Sequence, residues 1–182
     1  MNSFSLVGYL SGELGRFLND LRARLEPGRE AQAHITVLPP RPRACSWQEA
    51  CAELQERLRG AAPFEVVLGD VRSFEASQVV YAKMNAGRSE LERLHALTNT
   101  GRLHFECRFP YHPHVTLAHG LAGNDLVHAR VRAQAEWDEY SGPRTFVLEE
   151  LVLVQNSLED VWVDLASIPL GSPVSAGLLE HL

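Results

Sequence analysis

Apolar residues recur along the chain with two different periods, and the period separates predicted strands from predicted helices. Alternating apolar and polar positions predict strands, whereas apolar residues three or four positions apart predict helices. The predicted strands are residues 4–10, 33–38, 64–75, 77–84, 113–120, 144–156 and 160–170. The predicted helices are residues 11–26, 46–60, 88–101 and 124–137. Strands and helices mixed in this way indicate an α+β fold.

Local signals mark the ends of some of these elements. Ser46 and Glu49 have the spacing of a capping box, which predicts the start of the second helix. Pro39 and Pro40 follow the second strand and are expected to stop it, because proline lacks the amide hydrogen that a strand ladder needs. A turn is expected near Ala76, between the third and fourth strands.

The order of the elements repeats along the chain. Strand, helix, strand, helix and strand follow one another twice. His34 precedes the strand residue Phe64 by 30 positions, and His114 precedes Phe146 by 32. The nearly equal spacings indicate two like lobes that face each other across a cleft, where a small molecule is expected to bind.

The repeat indicates one domain over residues 1–170, built from two pseudo-repeated lobes. The last two strands of this domain are expected to be joined by a turn near Leu158. Residues 171–182 are expected to form a C-terminal tail.

The middle strand of each repeat carries the same short motif, His-x-Thr. The first motif contains His34 and Thr36, and the second contains His114 and Thr116. Side chains two positions apart in a strand point to the same face of the sheet, roughly 6.6–7 Å apart along the chain. If the repeat brings the two strands together, two imidazoles and two hydroxyls converge.

This set of groups suits phosphoryl chemistry. An imidazole has an ordinary pKa near 6.5, so one ring can accept a proton while the other donates one near neutral pH. The hydroxyls can donate hydrogen bonds to phosphate oxygens and hold the phosphorus in line. The chemistry requires no metal and no cofactor.

With their neighbours, the two motifs are HITVLPP and HPHVTLA. Both resemble the signature strands of the 2H phosphoesterase superfamily, most closely its 2′-5′ RNA ligase-like (LigT-like) branch. The resemblance extends to the element order over residues 4–166. It implies a bilobal fold with two antiparallel sheets, flanked by helices, around a central cleft. It also implies a metal-independent enzyme that opens 2′,3′-cyclic phosphate ends of RNA or nucleotides to give 2′-phosphates, and it leaves 2′-5′ RNA ligase activity open.

The resemblance also implies a role for each motif residue. His34 is expected to protonate the leaving ribose oxygen, and His114 is expected to activate water. Thr36 and Thr116 are expected to hold the phosphate. Because the two motifs are so similar, the pair itself is a firmer inference than the assignment of acid and base.

Residues just before the second motif offer further contacts. Tyr111 and Phe109 are candidates for stacking on a base, as aromatic residues do in single-strand recognition, and packing at the rim is the alternative. Arg41, Arg43 and Arg108 could add local positive charge, but each by itself is expected to be a solvated loop residue.

Two other classes of function remain open. The protein could bind a nucleotide without turning it over, although a pure binder needs no pair of titrating imidazoles. A zinc hydrolase is also conceivable, because His104, Cys107, His112 and His114 are chemically suitable ligands, but their spacing fits no standard zinc pattern. Nothing marks Cys107 as an activated nucleophile.

Composition narrows the classes further. A net charge of −6 argues against a grip on long nucleic acid through many phosphate contacts. The N-terminal residues lack a basic lead, and the apolar runs are too short for a membrane-spanning helix, so neither a signal peptide nor a span is expected. The 3 cysteines contain no C-x-x-C pair, which favours reduced thiols. The expected compartment is the cytoplasm.

Overall fold

Eight strands and four α-helices make up the computed structural model, which describes residues 3–28, 32–156 and 162–171. The strands are β1 (Ser3–Tyr9), β2 (His34–Pro42), β3 (Phe64–Phe74), β4 (Val79–Ala86), β5 (His114–His119), β6 (Thr145–Leu148), β7 (Glu150–Asn156) and β8 (Trp162–Pro169). The helices are α1 (Gly12–Leu25), α2 (Trp47–Arg57), α3 (Arg88–Thr98) and α4 (Gly123–Glu139), with one short 3₁₀ helix at Gly101–Leu103. The predicted α+β class is confirmed. The turn expected near Leu158 and the tail beyond Gly171 lie outside the described residues.

The eight strands form a single antiparallel sheet in the order β6-β3-β4-β5-β2-β1-β7-β8. The family resemblance implied two sheets, but the structure has one, because β2 and β5 pair with each other at the centre. Ile35 lies opposite Val115, and this is the one registered residue pair between the two strands. The sheet therefore consists of two four-stranded halves that join at the two motif strands.

Each half of the sheet contains strands from both sequence repeats. β1 and β2 belong to the first repeat, but their outer neighbours are β7 and β8 from the end of the chain. β4 and β5 belong to the second repeat, but β3 from the first repeat lies beside β4. β3, β7 and β8 thus lie in the half that holds the other repeat's motif strand, whereas β6 lies in the half of its own repeat. Neither sequence repeat forms a lobe by itself.

The long strand predicted at 144–156 is two strands that lie far apart in the sheet order. β6 pairs with β3, and β7 pairs with β1, with Glu149 between them. Because one residue joins Leu148 to Glu150, the sheet has to curl until its β6 edge approaches β7. Gly8 of β1 permits this approach, since a Cβ atom there would overlap the side chain of Leu148.

The prediction that Pro39 and Pro40 end the second strand is wrong. β2 continues to Pro42, pairing with β1 through two register shifts, while β5 pairs with β2 only at Ile35. The prolines therefore lie where the pairing with β1 is irregular, and β5 does not pair with this part of β2. The ladder does not need their missing amide hydrogens there. A sheet tolerates proline at such positions.

The start of α2 is as predicted. The hydroxyl of Ser46 accepts a hydrogen bond from the amide of Glu49 at 3.3 Å, and the Glu49 carboxylate accepts one from the amide of Ser46 at 2.9 Å. These reciprocal bonds are the capping box.

The main hydrophobic core lies on one face of the sheet. Ile35, Val37, Val115 and Leu117 alternate along β2 and β5, and all four are fully buried in this core. The histidines and threonines of the two motifs occupy the intervening positions, so they point to the opposite face. No helix among the described residues is long and apolar enough to cross a membrane.

Candidate active site

The pairing of β2 with β5 brings the two His-x-Thr motifs side by side. The residues at the centre of the motifs lie opposite each other, so the antiparallel register places His34 across from Thr116 and Thr36 across from His114. All four residues are half-buried. Side chains directly opposite have Cβ atoms about 4.5–5.5 Å apart. Each histidine is therefore a cross-strand neighbour of the other motif's threonine.

The two imidazoles are oriented by the same local hydrogen bond. Nδ1 of His34 lies 2.7 Å from the carbonyl oxygen of Gln32, and Nδ1 of His114 lies 2.7 Å from that of His112. A carbonyl can only accept, so Nδ1 carries the hydrogen, and Nε2 of the neutral ring is left as an acceptor. Both rings are held in the tautomer that can take a proton on Nε2 and later return it.

Different aromatic residues pack against the two imidazoles. Tyr9 contacts His34 edge-on, with ring centroids 6.3 Å apart. Phe74 and Tyr81 stack on each other at 4.1 Å, and their centroids lie 5.4 Å and 5.2 Å from that of His114. The site is therefore symmetric in its backbone but asymmetric in its side chains.

The backbone of each motif threonine is held by a residue from a distant part of the chain. Nη1 of Arg22, on α1, donates a hydrogen bond to the carbonyl of Thr116. The hydroxyl of Tyr111 donates one to the carbonyl of Thr36 at 3.0 Å. Arg22 is only 6% exposed, so a guanidinium charge is buried directly beside the site. These two bonds hold the backbone of both motif strands at the threonines.

Burial and neighbouring charges lower the pKa of both histidines. For His34, burial is the main cause, the hydrogen bond to Gln32 opposes it, and the charges of Arg22 and His114 lower the pKa further. For His114, burial again lowers the pKa most, against the hydrogen bond to the carbonyl of His112, and the His112 ring adds to the lowering. The positive charge of Arg22 thus acts on His34 and makes its protonated form a stronger proton donor.

We expect both imidazoles to titrate below the ordinary value of about 6.5 in the free protein. Proton NMR of the imidazole Cε1–H resonances measures each titration directly. Arg22→Met should raise the pKa of His34 more than that of His114, because Arg22 acts on His34. Equal shifts in both rings, or titration of either above the ordinary value in the unliganded protein, would contradict this electrostatic account.

A cavity of about 1110 Å³ adjoins the motifs. Thr36 and His114 line it, whereas His34 and Thr116 lie outside its wall on the same face of the sheet. Its other walls include Phe74 and Val79 of the sheet, His95 and Asn99 of α3, and the loop 104–111. The space is much larger than a phosphate, so it has room for the rest of a ligand held at the motifs.

Tyr111, a predicted substrate contact, lies in the wall of this cavity. Its ring stacks on His95 with centroids 4.0 Å apart, and Nδ1 of His95 lies 2.7 Å from the carbonyl oxygen of Val37. The observed role of Tyr111 is thus to support the backbone of β2, and a contact with substrate stays a prediction. Phe109 is 47% exposed and also borders the cavity, and the guanidinium of Arg108 lies over its ring, 5.3 Å from the centroid.

Arg41 is not the solvated loop residue that the sequence predicted. It is 2% exposed and donates to the side chain of Asn99 at 2.7 Å and to the carbonyl of Pro39 at 3.0 Å. The reason is that β2 continues past Pro39 and carries Arg41 under the end of α3. The residue ties the cavity wall together.

The residues proposed as zinc ligands do not form a metal site in the part of the chain that the structure describes. There, no three side chains of His, Cys, Asp or Glu are grouped as a metal would require. Cys107 is exposed, and His104 borders the large cavity. The described residues therefore provide no set of ligands for the zinc hydrolase.

Sequence patterns did not point to Arg22 or His95 as parts of the site. Arg22 lies four residues after Leu18, on the buried stripe of α1, and a charged residue within an apolar stripe was the available signal. His95 lies on α3, 58 residues from the carbonyl that it contacts, and no local pattern marks such a contact.

Comparisons with known proteins agree with the geometry. A family model described as the 2′-5′ RNA ligase superfamily matches residues 11–160. A Staphylococcus haemolyticus protein, provisionally named a phosphoesterase, is 38% identical over 75 residues, which cover 41% of this chain and 44% of that protein. The match thus spans less than half of that relative.

Several solved structures share the fold. Escherichia coli LigT in its apo form has a TM-score of 0.64 and 20% identity, over 94% of this chain and 99% of that chain. LigT complexed with 3′-AMP has a TM-score of 0.66 and 19% identity over the same shares. A protein of Thermus thermophilus has a TM-score of 0.62 and 21% identity, over 92% of this chain and 97% of that chain. Since the family model covers most of the chain and both motif strands, the protein belongs to the 2′-5′ RNA ligase superfamily.

Proposed function

We propose that this protein is a metal-independent phosphodiesterase that opens a 2′,3′-cyclic phosphate at the end of an RNA or a nucleotide and leaves a 2′-phosphate. His34 and His114 are its proton carriers, and Thr36 and Thr116 hold the phosphate. Formation of 2′-5′ linkages is a further reaction that the same groups can support. The 5′-hydroxyl of a second RNA end would replace water as the attacking group and lose its proton to His114, while the P–O3′ bond breaks and O3′ takes a proton from His34.

One observation carries the proposal. The pairing of Ile35 with Val115 places both imidazoles and both hydroxyls on one face of neighbouring strands. A local carbonyl holds each ring with Nε2 available. Two such rings beside two hydroxyls suit a reaction in which one proton is removed and another delivered at the same phosphorus.

The reaction follows from the proposed roles. Water attacks the phosphorus on the side of His114, and Nε2 of the neutral His114 ring takes its proton. The bond from phosphorus to O3′ breaks on the opposite side, and O3′ receives the proton from Nε2 of His34. The buried charge of Arg22 supports His34 as the acid, because it favours loss of that proton. Proton exchange with solvent then restores both rings.

The comparisons support a nucleotide as the ligand. The family is described by its RNA ligase activity, and LigT has been solved with 3′-AMP and with ATP bound. The curated relative is named for phosphoesterase activity. These properties belong to other proteins, and together they favour a nucleotide phosphoester as the substrate here.

Hydrolysis of a 2′,3′-cyclic nucleotide should yield the 2′-phosphate isomer. The two sides of the site differ in their aromatic residues, so the sugar should dock in one orientation only. Phosphorus NMR or chromatography separates the two isomers. A 3′-phosphate product would reverse the orientation and the roles of His34 and His114.

The same assay separates the alternatives. Strong inhibition by excess EDTA would favour the zinc hydrolase. If no cyclic phosphate and no 2′-5′ linkage reacts, the nucleotide-binding module becomes the better account. The proposal expects turnover that EDTA leaves unchanged.

A further inference from the structure

A second, smaller hollow opens next to the candidate active site. Its volume is about 260 Å³, and its lining includes the cationic side chains of Arg72, Lys83 and Arg88 together with the imidazole of His112. Arg88 and His112 also line the large cavity, so the two spaces share a wall. The hollow has no role in the proposed chemistry at His34 and His114.

Strand pairing explains why these side chains converge. Lys83 lies opposite His114, and Arg72 lies opposite Tyr81, which in turn lies opposite Thr116. Residues that pair across a sheet share a face, so Lys83 and Arg72 are on the face of the active site. Neighbouring strands are about 4.8 Å apart, which places Lys83 one strand from the motif and Arg72 two strands from it.

The start of α3 brings the third cation. Gly87 separates β4 from α3 with a left-handed backbone, φ +82°, which turns the chain sharply. Arg88 follows as the first residue of the helix. It therefore stands where the hollow and the large cavity meet.

The side chains around the hollow carry a net positive charge, although the protein as a whole is acidic. Asp70 contacts Arg72 at 3.1 Å and Lys83 at 3.3 Å, and Glu92 contacts Arg88 at 2.8 Å. Three cations against two carboxylates leave one positive charge here, whereas the whole chain carries −6. The side chains of Arg72 and Arg88 are 55% and 53% exposed. Such exposed ion pairs are weak and leave most guanidinium and ammonium donors for an incoming anion.

We propose that this hollow binds the 5′-phosphate of the nucleotide whose 2′,3′-cyclic phosphate is held at the motifs. The inference rests on the proposed function. A free cyclic nucleoside has only the cyclic phosphate, whereas the last nucleotide of an RNA strand carries a second phosphate one ribose away. Arginine and lysine are the side chains that hold phosphate best. The protein should therefore act on phosphorylated nucleotide and RNA ends in preference to free cyclic nucleosides.

Two matched substrates test the subsite: a nucleoside 2′,3′-cyclic phosphate with a 5′-hydroxyl, and the same compound with a 5′-phosphate. In the wild type, kcat/KM should favour the 5′-phosphorylated substrate roughly tenfold or more, the size of a hydrogen bond between charged groups. Lys83→Met and Arg72→Gln should each reduce this ratio severalfold, mainly through KM. Arg57→Gln, an exposed arginine on α2, is the matched control and should leave the ratio unchanged.

Binding measurements keep the inference separate from the proposed catalysis. By calorimetry, the wild type should bind a nucleoside 2′,5′-bisphosphate more tightly than the 2′-monophosphate, and Lys83→Met should reduce the difference. Equal affinity for both compounds, or a wild-type kcat/KM ratio near one, would overturn the 5′-phosphate subsite even if turnover is observed. A clear preference in binding without any turnover would keep the subsite and overturn the phosphodiesterase.

Discussion

His34→Ala and His114→Ala should each lower turnover of a 2′,3′-cyclic phosphate by about 10²–10⁴-fold, the usual contribution of a general acid or base. Each variant removes a proton carrier that no neighbouring side chain replaces at the same atom. The fold should persist, because both rings are half-buried on the face opposite the main core. Steady-state kinetics, with circular dichroism to check the fold, measures both effects.

The two variants should also differ in their pH profiles. The proposed roles make His114 the base, so it must be neutral, and His34 the acid, so it must be protonated. The residual activity of His114→Ala should lose the rising limb at low pH, and that of His34→Ala should lose the falling limb at high pH. Because burial lowers the pKa of both rings, the wild-type kcat/KM should be largest on the acid side of about 6.5.

His128→Ala is the matched control for both variants. His128 is an exposed histidine on α4, so its removal should leave turnover unchanged. Near-wild-type activity in either motif variant would rule out the two-histidine mechanism. Similar losses in all three variants would point to a general effect of histidine removal on the protein.

Thr36→Val and Thr116→Val should each lower kcat/KM by about 10–100-fold, less than the histidine variants. Each change deletes one hydrogen bond to a charged phosphate oxygen, which is worth about 1.5–3 kcal/mol, and 1.36 kcal/mol corresponds to tenfold in rate. Valine keeps the branched shape that suits a strand. Tyr111 and Arg22 hold the two backbone carbonyls, so the strands should stay in place.

The double variant shows whether both hydroxyls bind the same phosphate. If the two hydroxyls act independently, the loss of kcat/KM in the double variant should equal the product of the two single losses. If both bind the same phosphate, the loss in the double variant should differ from that product. Thr145→Val is the control, since Thr145 is exposed on β6. Unchanged kinetics in both motif variants would remove the threonines from the site.

The chain order by itself determined the kind of each element and the local arrangement within each motif. Alternation and helical spacing depend only on neighbouring residues, so the helices and most of the strands lie close to where the pattern predicted them, apart from the longer β2 and the division of 144–156 into β6 and β7. For the same reason His34 and Thr36 share a face of β2, and Ser46 and Glu49 close their capping box. These features need no partner from elsewhere in the chain.

The exchange of strands between the two halves depends on contacts between residues that are far apart in the sequence, so local patterns did not predict it. The pattern at 144–156 predicts one continuous strand, yet β6 and β7 join opposite halves of the sheet. The residues of a strand determine whether it can join a sheet. Its pairing partner depends on which sheet edges are still unpaired after the rest of the chain has folded. The same choice let β2 run past Pro39.

What surrounds the motifs was decided only by the tertiary structure. Sequence alone placed two histidines and two threonines on two strands, and the pairing of Ile35 with Val115 made them one site. Arg22 reaches that site from 94 residues away. The pKa values of the two imidazoles depend on burial in the fold, and that of His34 depends also on this buried charge. The burial of a side chain and the electrostatic potential around it depend on all the residues that pack near it. These residues come from distant parts of the chain and meet only in the folded protein.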